Sequence, residues 1–135
     1  MRPKKSLFEC ALEWLEYARA DIAVAEQCMR SDIKLGAVCF HLQQAAEKSL
    51  KAVPVNAGIH FPYTHDLDKL CKLIESASIQ FPKDLNKVKR LSAYAVWTRY
   101  PGGDEVELEE YQESLHTARQ TVKWEEGIIA AHDPH

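Results

Sequence analysis

Residues 7–30 contain neither glycine nor proline, and their apolar residues recur at steps of three and four. Phe8, Ala11, Leu12, Leu15, Ala18, Ile22, Ala25 and Met29 therefore share one stripe of an α-helix. A helix with one apolar side must bury it against other elements, and the rest of the chain supplies only more helices. A second is predicted over about 33–53, capped by Ser31 or Asp32 and stopped by Pro54. Its face of Val38, Leu42, Ala45, Ala46, Ser49, Ala52 and Val53 consists largely of small residues, which let a neighbouring backbone come close. The opposite face carries Gln44, Glu47, Lys48 and Lys51, with Phe40 an aromatic outlier suited to a loop contact or a subunit interface.

Residues 54–64 read as a loop, and Thr64 as the cap of a short third helix with Leu67, Leu70, Cys71 and Ile74 inside. Pro82 opens a fourth, with stripe Leu85, Val88, Leu91, Ser92 and Ala95. TRYPGGDE, residues 98–105, cannot continue a regular helix, because Pro101 lacks a donor and Gly102-Gly103 favours a turn. A last helix covers about 106–131 through Leu108, Tyr111, Leu115, Ala118, Val122 and Ile129. No segment alternates as a strand does. The expected fold is all-α, an up-and-down bundle of about five helices, in a single domain over residues 1–135.

Composition narrows the function classes. Seventeen Lys and Arg against 20 Asp and Glu exclude a globally basic nucleic-acid binder, though not a local patch. No apolar run approaches the ~18–20 residues of a membrane span, and the first ten residues do not read as a leader peptide. Cys10, Cys28, Cys39 and Cys71 form no close pair and suit small buried hydrophobes in a cytoplasmic protein. Only His60 and His65 approach zinc-ligand spacing, so neither a metal nor a cofactor is expected.

Three clusters carry possible chemistry. In QQAAEKSLKA, residues 43–52, Gln44, Lys48 and Lys51 share a helix side and can hold a phosphate or a base edge. The plainer alternative is a solvated face with a Gln44–Lys48 contact and a Glu47–Lys51 pair of ~0.3–0.5 kcal/mol. In HFPYTHD, His65 beside Asp66 is either a general base or ligand, or a capping and packing residue. In the third cluster, Arg99 offers a planar fork of donors to phosphate and Tyr100 a face for a base; the alternative is a helix-terminal charge with a packed turn. Arg19 and Glu26 also fall in the first helix's apolar stripe. They either snorkel at its rim or meet partners on another helix or subunit.

Taken in order, ARADI at 18–22, FHLQQAAEKSLKA at 40–52, THDL at 64–67 and RYP at 99–101 resemble the HEPN domains, small prokaryotic stand-alone proteins whose name stands for higher eukaryotes and prokaryotes nucleotide-binding. The resemblance spans about residues 9–130. It implies a helical bundle that often dimerises, frequently encoded beside a minimal nucleotidyltransferase as a toxin–antitoxin-like pair. Nuclease members use Arg, four to six residues, then His, from two subunits, for metal-independent RNA cleavage. Here that window after Arg99 holds Asp104, Glu105 and Val106. The side chain suited to proton transfer near neutral pH is missing, which speaks against the nuclease activity. The resemblance therefore implies a non-catalytic module for nucleotide, RNA or a protein partner. Arg99 and Tyr100 are its leading contacts, Lys48, Lys51, Gln44 and His65 further candidates, and Phe40 and Trp124 candidate interface anchors. Alternatives are a divergent ribonuclease and a purely structural helical partner.

Overall fold

The computed structural model describes residues 4–28, 34–61, 64–97 and 105–134, and among them there is no strand. The long helices are α1 (Leu7–Cys28), α2 (Leu35–Asn56) and α5 (Leu108–Ala131); α3 (Leu67–Ser76) and α4 (Tyr94–Trp97) are short. A 3₁₀ helix, Lys83–Ala93, precedes α4. The all-helical class is as the sequence indicates.

α2 is the axis of the molecule, touched by α1, α5, α3, α4 and the 3₁₀ helix. That position explains its small residues: Ala45, Ala46, Ser49 and Ala52 are fully covered and let neighbours approach on several sides. α1 lies antiparallel along it. Ala11, Leu15, Ala18, Ile22 and Ala25 are buried as the stripe requires, while Leu12 remains exposed. α5 closes the core with Tyr111, Ala118, Val122 and Ile129, but Leu108, placed in that stripe by the sequence, projects from the first turn and is exposed.

Several boundaries differ from the sequence reading. α2 does not stop before Pro54 but runs through it to Asn56. Proline so close to a helix end removes a single ladder bond, and Pro54 is itself buried. The end is closed instead by Ala57 N–H on Val53 O and Ile59 N–H on Pro54 O, with Gly58 at φ 71° in the left-handed region. At its start α2 is flanked by Lys34, which gives no side-chain cap. Ser31 and Asp32 lie outside the described residues. The cap of α3 is Asp66 rather than Thr64: Asp66 Oδ1 accepts from Asp68 N–H at 3.0 Å, and Thr64 Oγ1 accepts from Asp66 N–H at 3.0 Å.

The fourth helix is 3₁₀ over most of its length. Leu85, Val88 and Leu91 recur every third residue, which is one full 3₁₀ turn, so they line one edge and are buried. Ser92, predicted in that stripe, instead accepts from Leu67 N–H at 3.0 Å and satisfies an orphan donor of α3. None of the four cysteines is in a disulfide, and burial pushes the Cys39 thiol up to about 11 and that of Cys71 up to about 12. No helix among the described residues is long and apolar enough to cross a membrane.

Candidate functional site

Several polar residues of α2 do not face solvent. Gln43, Glu47 and Lys51 recur every fourth residue, and that line lies against α1 and the loop leading to α3. The side chains of Glu47 and Lys51 are only 5% and 8% exposed, which corrects the solvated-face reading. What covers them is tertiary. Lys51 Nζ sits 5.2 Å from the Trp14 ring centroid and 5.6 Å from that of Phe61, so its ammonium is flanked by aromatic faces.

Glu47 is the centre of this seam. Its Oε2 accepts from Lys51 Nζ at 3.0 Å, and its Oε1 accepts from Gln43 Nε2 at 3.0 Å and from His65 Nδ1 at 2.7 Å. Burial alone would raise the Glu47 carboxyl, but the bonds from Gln43, His65 and Lys51 outweigh it and hold it below the ordinary value. Gln43 Nε2 also reaches the His65 carbonyl at 3.4 Å, tying α2 to the loop. The expected Glu47–Lys51 pair is thus present, in a buried setting rather than on a wet face.

A second group lies on the α1 side. Asp21, buried at 9%, accepts from Lys48 Nζ through Oδ2 at 2.6 Å and from His41 Nδ1 through Oδ1 at 3.1 Å. The Gln44–Lys48 contact does not form: Lys48 turns to Asp21, and Gln44 Nε2 donates to Gln43 Oε1 at 2.8 Å. A carboxylate can only accept, so each imidazole carries a proton on Nδ1. Each carboxylate is in turn held by a lysine.

The structure therefore brings Lys48, Lys51, Gln44 and His65 into one seam and gives most of their polar groups internal partners. A lysine already bonded to a buried carboxylate is a poor phosphate ligand. That argument applies to Lys51 in full and to Lys48, whose side chain is a quarter exposed, in part. Asp66 caps α3, so the His65-Asp66 pair divides its work between the seam and the helix. Arg99 and Tyr100 lie outside the described residues. Phe40 is half-buried, edge-on to His41 with centroids 5.7 Å apart. Trp124 is also half-buried, not an open anchor: it packs edge-on to Phe81 at 5.0 Å.

Sequence reasoning missed Asp21, His41, Gln43, Trp14 and Phe61. Asp21 carried a signal, an acid between Ala18 and Ile22 on the apolar side of α1. Arg19 and Glu26 were visible, and both meet α5: Arg19–Glu126 at 3.3 Å and Arg119–Glu26 at 3.0 Å. These pairs are about half exposed and contribute ~0–1 kcal/mol each. No group of three metal-ligating side chains exists among the described residues.

An all-helical bundle built around a nearly covered central helix, with a polar seam along it, defines the class. A family model described as HEPN domain matches residues 11–128, and the chain belongs to that family. Among solved structures it is similar to TT1696 from Thermus thermophilus, with 26% identity over 87% of this chain and 96% of that one, at a TM-score of 0.70. It shares its fold with ST0689, an archaeal HEPN homologue, with 22% identity over 93% and 99% of the two chains, at a TM-score of 0.71. No curated protein matches the chain.

Proposed function

We propose that this HEPN protein is a non-catalytic binding module for a nucleotide or an RNA end. On this reading it is a cytoplasmic homodimer that works beside a minimal nucleotidyltransferase in a toxin–antitoxin-like pair. The observation that carries the reading is Arg99-Tyr100-Pro101 followed, in the window where nuclease members hold His, by Asp104, Glu105 and Val106. Arg99 supplies a phosphate contact and Tyr100 a stacking face. The internal pairing of Lys48 and Lys51 supports giving Arg99 the leading role and the lysines a positioning one. Titrating the protein with ATP and with a short RNA oligomer tests this. Arg99→Ala is expected to weaken binding about tenfold or more, the worth of one charge-assisted contact. Equal binding by both forms, or by neither, rejects it.

One observation favours a second reading as a metal-independent ribonuclease: His41 and His65 are each oriented by a buried carboxylate, as a general base requires. It requires RNA cleavage in the presence of a chelator, lost in His41→Ala. The binding reading expects no cleavage under those conditions. For the homodimer, with Phe40 at its interface, light scattering is expected to give a two-chain mass for the wild type and a one-chain mass for Phe40→Asp. A one-chain mass for both discards the dimer.

A further inference from the structure

Residues 98–104, which include Arg99 and Tyr100, connect two elements with little local hold of their own. α4 is a single turn, too short to persist alone in water. α5 starts after Glu107, which gives no side-chain cap. What holds the two flanks is therefore tertiary. On one side Tyr94 and Ala95 are buried, and α4 packs on α2 and the 3₁₀ helix. On the other side Val106 is buried.

A side-chain bond links the flanks to each other. Tyr94 Oη donates to Glu110 Oε2 in the first turn of α5, sixteen residues further along the chain. Ser114, one turn on in α5, and Cys39 of α2 share hydrogen bonds with the same phenol. Burial, and then the bond to a carboxylate, hold the Tyr94 phenol well above the ordinary tyrosine value, so at neutral pH it remains a donor. Glu110 is half-buried, and water can replace the phenol at its carboxylate. Breaking the bond therefore releases the flanks from each other at small cost to the core.

We infer that Tyr94 and Glu110 are positioning residues: their hydrogen bond fixes both ends of segment 98–104 against the bundle and so presets Arg99 for a phosphate group. The inference rests on the Arg99 reading and adds to it the groups on α4 and α5 through which the fold acts on that residue. Ordering a chain segment on binding subtracts from affinity, and joining its flanks across sixteen residues during folding removes part of that cost beforehand. Three substitutions separate the parts. Tyr94→Phe keeps the buried ring and deletes the hydroxyl. Glu110→Ala deletes the acceptor, whereas Glu110→Gln keeps an acceptor oxygen within the same reach.

Hydrogen exchange of the ligand-free full chain, read on peptides covering 98–104, tests the tether directly. Tyr94→Phe and Glu110→Ala are expected to exchange there about tenfold faster than the wild type, the worth of one hydrogen bond to a charged group. Glu110→Gln is expected to follow the wild type, and α1 peptides to be unchanged in all three. Equal exchange in wild type and Tyr94→Phe overturns the inference whether or not a ligand binds. Acceleration that extends equally to α1 is a loosened core and overturns it too. Titration with ATP and a short RNA oligomer reads the consequence. Tyr94→Phe and Glu110→Ala are expected to weaken binding several-fold, Glu110→Gln to leave it unchanged, and Tyr94→Phe to add nothing in an Arg99→Ala background. An undiminished loss in that background places the effect elsewhere and overturns the positioning role. If exchange responds but the wild type binds neither ligand, the Arg99 reading falls and the tether stands.

Discussion

Glu125→Met is expected to stabilise the protein at pH 7 by about 3 kcal/mol, the cost of a buried carboxyl left without partners, or about 10 °C in melting temperature for a chain of this size. Glu125 is fully buried in α5, and neither carboxylate oxygen has a hydrogen-bond partner among the described residues. The neighbouring hydroxyl of Thr121 is committed to the Thr117 carbonyl at 2.8 Å. Burial pushes the Glu125 carboxyl well above the ordinary glutamate range. Folding therefore favours the protonated form of a group that is ionised when unfolded at neutral pH. The sign follows from the raised folded-state value. Glu125's contribution is most favourable below the ordinary glutamate range and is lost as pH rises toward the folded-state value, at up to about 1.4 kcal/mol per pH unit. Urea unfolding of wild type and Glu125→Met from pH 4.5 to 8 reads this directly: the gap should be small at the acid end and widen upward. A gap independent of pH, or a less stable variant, contradicts it. Glu125→Gln should remove the slope while leaving an unsatisfied amide in the core.

Glu47→Ala is expected to destabilise the fold by about 3–5 kcal/mol, because it strands Lys51 in an aromatic-lined interior without its counter-charge. Lys51→Met should cost much less, since Glu47 keeps Gln43 and His65 as donors. The pH dependence runs opposite to that of Glu125. The Glu47 carboxyl is held below its ordinary value, so its contribution is present above that value and fades as pH falls through the folded-state one. Chemical unfolding of the two variants at pH 7 settles the order. A loss under about 1 kcal/mol for Glu47→Ala would mean that water reaches the seam and the burial argument fails.

The helices and their inward faces were legible because periodicity depends on the segment itself. Ala11, Leu15 and Ala18 on α1, and Leu42, Ala45 and Ala46 on α2, are buried where the spacing put them. The period-three run of Leu85, Val88 and Leu91 was written in the sequence, yet three-residue steps also fit an α-helix, so the tighter winding was not distinguished. The seam was hidden for a different reason. Charges four residues apart read as a wet face unless one knows that Trp14 of α1 and Phe61 of the loop cover them, and that is a tertiary fact. Glu125 does leave a trace in the sequence: the stripe Ala118, Val122, Ile129 has a gap where a fourth apolar residue should stand. Of the candidate contacts, Lys48, Lys51, Gln44 and His65 do gather, but residue type did not reveal that their partners are internal.

The two ion pairs between α1 and α5 add little to stability, but their arrangement has another effect. Arg19 and Glu26 are seven residues apart, as are Arg119 and Glu126, and the partners cross over. Were the last helix to dock head-to-head with the first, guanidinium would meet guanidinium and carboxylate would meet carboxylate. The preference for the native direction of the terminal helix is thus the attraction gained plus the repulsion avoided, so two weak exposed pairs count twice in the choice of how the bundle closes.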